Sequence, residues 1–156
     1  LISAGICVKI YGTGWDMKNV SPLYRFNTIV PVHGRRYYEC LREGKINLAF
    51  LSELNEDVYT RRNFEIPGMG GLMLSERTNE LLSFFEEGKE AFYFNTKDEL
   101  LNAVKFILTK SEIQDKVRHA AKIKSYNSGY DLDSRVKKLI SELTTIYEEN
   151  KYSHLV

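Results

Sequence analysis

Short apolar runs alternate with amphipathic stretches along most of the chain. The apolar runs are rich in β-branched residues and bounded by turn residues, which predicts strands at residues 6–11, 28–32, 46–51, 72–75 and 91–94. Helical patterns lie between these strands or after them. Three of them cover residues 35–43, 60–69 and 96–110. Three more are marked by their starts: Thr78 or Asn79, a cap at Ser111, and Asp131 or Asp133. Strands that alternate with helices predict an α/β fold with a mostly parallel sheet covered on both faces.

The last part of the chain, from about residue 111 to 156, carries helical patterns only. Its final helix has one apolar stripe, because spacings of 3, 4, 7 and 8 residues bring side chains to one face: Leu139, Ile140, Leu143, Ile146 and Tyr147. No Gly-, Ser- or Pro-rich linker divides the sequence. We therefore predict a single domain over residues 1–156 that ends in a helical tail.

Composition narrows the class of protein without indicating a function. The 156 residues are 43% apolar and 28% charged, and 22 Lys and Arg stand against 21 Asp and Glu. Such a chain forms about one globular domain, and its near-neutral charge argues against nucleic acid or an acidic membrane as a partner. No apolar run approaches the roughly 20 residues that span a bilayer.

The cysteines and histidines favour a reducing compartment and no metal. Cys7 and Cys40 lack CxxC spacing, which is typical of reduced, partly buried thiols in a cytoplasmic protein. The three histidines have no partner at ligand spacing, so we expect no protein-built metal site.

The first five residues have the pattern of the last turn of a helix closed by Gly5. No signal-peptide pattern accompanies them. This opening favours a piece of a longer polypeptide.

Candidate chemistry lies in the loops that follow the predicted strands, because ligands of parallel sheets bind at the carboxyl ends of strands. The loop after the third strand is the richest in functional side chains: Asn55, Asp57, Thr60, Arg61 and Arg62, followed by Glu65. A carboxylate on the first turns of a helix can accept hydrogen bonds from both hydroxyls of a ribose or sugar, and arginines at a helix start suit a diphosphate. The alternative is a solvated helix start that binds nothing.

The turn after the first strand excludes one class of signalling domain. Gly12-Thr13-Gly14 is an incomplete dinucleotide fingerprint and is more typical of a plain turn. A phospho-receiver domain needs clustered acids at the end of its first strand, where this chain has these glycines.

Two segments resemble a known family. Residues 62–78, RNFEIPGMGGLMLSERT, and residues 85–90, FEEGKE, are similar to the donor-binding C-terminal domain of GT-B glycosyltransferases of the spore-maturation or spore-coat type. That type has R-x-F-E-I-P-A-C-G-G, then T/S-E/D-R-T, then F-x-x-G-K-E. The likeness extends to residues 8–15 and to the tail, so it covers nearly the whole chain. It implies a Rossmann-like fold and sugar transfer from a nucleotide-diphosphate sugar, with no permanently bound cofactor.

The resemblance also implies roles for individual residues. Glu65 matches the carboxylate that binds the nucleotide ribose, and Arg62 matches an arginine that contacts the pyrophosphate. Asp57, eight positions before Glu65, falls on an acidic position near the donor sugar or phosphates, which makes it, with Arg62, a catalytic candidate. Further donor-binding candidates are Thr60, Arg61 and the glycines near the nucleobase, Gly12, Gly14 and Gly34. Gly68 and Met69 replace the usual Ala-Cys, which suits a packed helix end.

The family pattern includes parts that this sequence does not show. The first strand of the domain, a central one in the order 3-2-1-4-5-6, would precede Leu1, and its absence would leave strand edges exposed. The acceptor site and general base belong to a separate N-terminal domain, so this chain is the donor half of an enzyme. The acceptor, a glycan or protein, is unknown, with bacterial surface, coat or capsule polysaccharide as one expectation. The alternative is a non-catalytic nucleotide-binding or scaffold module.

Overall fold

The structure is a computed structural model that describes residues 1–12 and 28–152. Within these ranges the strands are β1 Ile10–Tyr11, β2 Thr28–Ile29, β3 Asn47–Ala49, β4 Met73–Glu76 and β5 Phe92–Phe94. The α-helices of the same ranges are α1 Gly34–Glu43, α2 Arg62–Gly68, α3 Asn79–Phe84, α4 Lys97–Leu108, α5 Ser111–Asn127 and α6 Leu132–Tyr152. Turns of 3-10 helix occupy Ile2–Ala4 and Glu53–Asn55. The predicted alternation of strands and helices is confirmed, although four of these five strands are shorter than their apolar runs and β4 is shifted by one residue.

Every strand pairing in the described ranges is parallel. β1 pairs with β2, and β3, β4 and β5 pair side by side in chain order, with Leu48 opposite Leu74 and Leu74 opposite Phe92. No ladder of the described residues joins β1 to β3, so each of these two strands has a single neighbour. The mostly parallel sheet is confirmed, and it consists of two separate ladders.

Helices cover both faces of the three-stranded sheet. Successive residues of β4 point to opposite faces, so Met73 and Leu74 enter different apolar clusters. The Met73 cluster includes Leu81 and Phe85 of the α3 region, and the Leu74 cluster includes Val104 of α4. These two buried layers fix the sheet between the helices.

Local cap chemistry accounts for three of the six helix starts in the described ranges. The Thr78 and Thr96 hydroxyls accept hydrogen bonds from the backbone N–H groups of Leu81 and Glu99, at 3.1 and 3.2 Å. Asp131 accepts from the N–H of Ser134 at 2.8 Å, before α6. The prediction for Ser111 was wrong: it is the first residue of α5, and Lys110 holds the cap position with no side-chain cap bond.

The apolar stripe of α6 does not pack on the rest of the described domain. Its five predicted members remain 52–66% exposed. The helical tail is therefore confirmed as a helix, while its apolar face has no counterpart among the described residues. No helix of the described ranges is both long and apolar enough to cross a membrane.

Two smaller expectations about packing were wrong. Cys7 is exposed, and only Cys40 is buried. Met69 is also exposed: it follows the last residue of α2 and is not a member of the apolar cluster that holds Ile66 and Met73. The helix end at Met69 is therefore not a packed one.

Candidate functional site

Glu65 is the acidic side chain of the predicted site that has two side-chain partners among the described residues. It lies in the first turn of α2, the helix that follows β3, and its side chain is only 18% exposed. One carboxylate oxygen, Oε2, accepts a hydrogen bond from the Tyr37 hydroxyl at 2.8 Å. The other, Oε1, lies 3.0 Å from Nε of Arg61. Each carboxylate oxygen therefore has its own partner.

Tyr37 is a site residue that the sequence did not reveal. It lies on α1, 28 residues before Glu65, and a helical pattern gives no sign of which distant group a tyrosine meets. Burial raises the pKa of Tyr37 to about 12, the hydrogen bond to Glu65 adds to the rise, and the charges of Arg62 and Arg61 oppose it. The Tyr37 hydroxyl therefore keeps its proton, and remains a donor, throughout the neutral range.

Two arginines, Arg61 and Arg62, lie near the hydrogen-bonded pair of Tyr37 and Glu65. The Arg61 side chain is 86% exposed, so its ion pair with Glu65 is largely solvated. Arg62 is exposed and forms no ion pair with any described carboxylate, yet its charge acts on Tyr37. The structure thus brings Arg61, Arg62 and Glu65 together, as the sequence predicted, and adds Tyr37 to them.

A buried asparagine fixes the start of the helix that carries Glu65. Asn63 is fully buried, and its Oδ1 accepts from the backbone N–H and the hydroxyl of Thr60, at 2.7 and 3.1 Å. Its Nδ2 donates to the Ser75 hydroxyl on β4 at 2.9 Å. The hydroxyl proton of Thr60 is therefore committed to Asn63, which leaves the Thr60 oxygen as an acceptor for a ligand.

Asp57 has a hydrogen-bond partner of its own, separate from the pair of Tyr37 and Glu65. Its Oδ2 accepts from the N–H of Ser52 at 3.2 Å, and no hydrogen bond or ion pair of the described residues joins it to Glu65 or Arg62. It lines a cavity of about 280 Å³ beyond the carboxyl ends of β3, β4 and β5. The charged lining of that cavity is mostly acidic: Glu53, Glu56, Asp57, Glu76 and Arg77. Arg77 also forms a two-point ion pair with Glu87.

The predicted glycines are only partly covered by the structure. Gly34, the first residue of α1, has φ 55°, and nothing lies within 4 Å of a Cβ built on it. Gly12 has φ 149°, also a conformation that favours glycine. Gly14 lies outside the described residues.

No group of three or more His, Cys, Asp or Glu side chains that could hold a metal ion occurs in the described ranges.

Comparison with known proteins identifies the family. A family model described as glycosyl transferase-like matches residues 2–141, and the chain belongs to that family. Its fold is similar to the crystal structure of a glycosyltransferase from Rickettsia africae ESF-5, with a TM-score of 0.61 and 14% identity. That match covers 81% of this chain and 33% of the other, so this chain spans about a third of its length. A comparison with curated proteins gave no significant match.

Proposed function

We propose that this domain binds the donor in a glycosyltransferase of the GT-B type, which transfers a sugar from a nucleotide-diphosphate sugar to an acceptor hydroxyl. Family membership supports glycosyl transfer in general. The observation that carries the finer proposal is the Glu65 carboxylate, held by Tyr37 and partly open to solvent at the carboxyl edge of a parallel sheet. The donor substrate is the only small molecule that the site requires.

Glu65 binds the ribose of the donor in this proposal. An ionised carboxylate is an acceptor with two oxygens, which matches the two adjacent hydroxyls of a ribose. The exposed Arg61 ion pair is weak, so the ribose displaces Arg61 from Oε1 at little cost. Gly12 and the loop at Gly34 are proposed to lie near the nucleobase.

Arg62, joined by the displaced Arg61, binds the diphosphate. Negative charge grows on the leaving diphosphate while the anomeric carbon gains oxocarbenium character, and fixed positive charge stabilises that change. Arg62 suits this role because it has no carboxylate partner among the described residues. Asp57 lies in an acidic cavity that disfavours phosphate, so we assign it, with the Thr60 oxygen, to hydroxyls of the donor sugar.

The acceptor site and the general base are proposed to lie in a separate N-terminal domain of the same polypeptide. Among the described residues β1 and β3 each have one unpaired edge, and one further parallel strand between them would join the two ladders in the order of a Rossmann-like sheet. Both cysteines are free thiols, which fits a cytoplasmic enzyme. A bacterial coat, spore or surface glycan is the acceptor class that we propose.

A thermal-shift panel of UDP-, GDP-, CDP- and dTDP-sugars tests the proposal. A ligand present at about 100 times its Kd stabilises the folded state by about 2.7 kcal/mol, which raises the Tm of a domain of this size by several degrees. We expect such a shift with donors of one base. No shift with any of the four would favour a non-catalytic scaffold module.

A further inference from the structure

The Tyr37 hydroxyl fixes one oxygen of the carboxylate to which we have assigned the ribose. We propose that Tyr37 is the positioning residue of the ribose site. It holds the Glu65 carboxylate so that the protein binds a donor with ribose hydroxyls more tightly than an analogue that lacks them. This inference rests on the proposed function, and it adds a residue and a selectivity to that function.

Among the described residues, Tyr37 is the one that contacts the Glu65 carboxylate from another helix. Its hydroxyl is 2.8 Å from Oε2 and comes from α1, whereas Arg61, which contacts Oε1, immediately precedes the helix that carries Glu65. A glutamate side chain has several rotatable bonds, and an unanchored one loses conformational freedom on binding a ligand. Because Tyr37 already restrains the carboxylate, Oε1 and the remaining lone pair of Oε2 are set in place before the ribose arrives.

Tyr37 and Arg61 contribute differently to the carboxylate. The Tyr37 side chain is partly buried, and its raised pKa keeps the hydroxyl protonated at neutral pH. Arg61 is mostly solvated and is exchangeable. The tyrosine is thus a fixed support, and the arginine is a group that a ligand replaces.

The neighbouring residue provides a matched control. Tyr38 contacts the Tyr37 ring edge to face, with ring centroids 5.3 Å apart, but no hydrogen bond of the described ranges links it to Glu65. Tyr37→Phe and Tyr38→Phe each remove one hydroxyl from adjacent positions of α1. Only the first removes the hydroxyl that touches the carboxylate.

The experiment measures, by titration calorimetry, the affinity of the protein for UDP, GDP, CDP and ADP and for the 2′,3′-dideoxy analogue of whichever binds. The readout is the ratio of the ribo to the dideoxy affinity. A general loss of structure lowers both affinities and leaves this ratio unchanged.

We expect the wild-type protein to prefer the ribonucleotide by about tenfold or more, since hydrogen bonds to a charged group are among the strong ones. Tyr37→Phe lowers the ratio at least threefold, and Tyr38→Phe retains it.

The outcomes separate the two proposals. A wild-type ratio near one, or no binding of any nucleotide, would overturn the ribose assignment of Glu65 and with it the role of Tyr37. A clear wild-type preference that Tyr37→Phe retains would overturn the role of Tyr37 alone. Loss of the preference in both tyrosine variants would also contradict it, because Tyr38 does not touch the carboxylate.

Discussion

The side-chain amide of Asn63 donates to the hydroxyl of Ser75 across 2.9 Å, and both residues are fully buried. This bond ties the start of α2 to β4, and the same asparagine accepts two hydrogen bonds from Thr60. The helix that presents Glu65 is therefore fixed to the sheet by a buried polar network, in which each partner satisfies the other.

Replacing Asn63 with Leu should destabilise the domain by about 3 kcal/mol, because it leaves the Ser75 hydroxyl and the Thr60 N–H without their partner. Chemical denaturation of the purified protein measures the change. Asn102→Leu is the control, since Asn102 is exposed on α4 and should change stability by less than about 0.5 kcal/mol. Equal effects at the two positions would contradict the network.

Gly71 should not tolerate a methyl group, whereas Gly68 should. A Cβ at Gly71 would lie 2.7 Å from Nδ2 of Asn47 and 2.8 Å from the Leu41 carbonyl, while a Cβ at Gly68 meets nothing within 4 Å. We expect Gly71→Ala to lose about 2 kcal/mol through overpacking. Gly68→Ala, within α2, should be neutral or gain up to about 1 kcal/mol. Melting curves of the two variants decide between these outcomes, and a stable Gly71→Ala protein would count against the packing described.

The apolar face of α6 should contribute little to the stability of the domain. Leu143 is half-exposed, whereas Leu74 is completely buried on β4. Leu74→Ala should cost about 3 kcal/mol, as buried leucines do, and Leu143→Ala less than about 0.5 kcal/mol. Urea denaturation of the two variants provides the comparison. A large loss for Leu143→Ala would show that the stripe packs on the domain after all.

Stability should fall in alkaline solution in part through Tyr37. Its pKa is about 12 in the folded protein against 10.0 in an unfolded chain, so above pH 10 the unfolded state releases the proton first. The contribution of Tyr37 to the free energy of unfolding is therefore complete below pH 10 and disappears between about pH 10 and 12. Denaturation of the wild type and of Tyr37→Phe at pH 8 to 11 measures it. The wild type should lose stability more steeply than the variant, and parallel curves would refute the assignment.

The alternation of strands and helices could be predicted because each element has a local pattern. Thr78 and Thr96 start helices through their own hydroxyls, and the apolar run around Leu74 indicates a strand that is buried on both faces. The stripe of α6 predicts a helix equally well. It does not indicate whether a partner surface is present, and among the described residues the stripe packs on none.

The site could be predicted only where its residues are close in sequence. Arg61, Arg62 and Glu65 fall within two turns of chain, so their proximity follows from helical geometry. Tyr37 comes from another helix, and Asn63 is a polar residue whose burial depends on Ser75. Such tertiary contacts leave no periodic signal. The family resemblance placed Asp57 beside Glu65 at the donor site, and the structure adds a hydrogen bond to Asp57 from the Ser52 N–H that the sequence does not reveal.

Binding of a nucleoside diphosphate to Glu65→Ala tests the central claim most directly. Titration calorimetry with the nucleotide that the panel identifies should show affinity lowered about 10- to 100-fold, the value of hydrogen bonds to a charged group. Glu112→Ala, which removes an exposed acid from α5, should bind like the wild type. Unchanged affinity in Glu65→Ala would contradict the account.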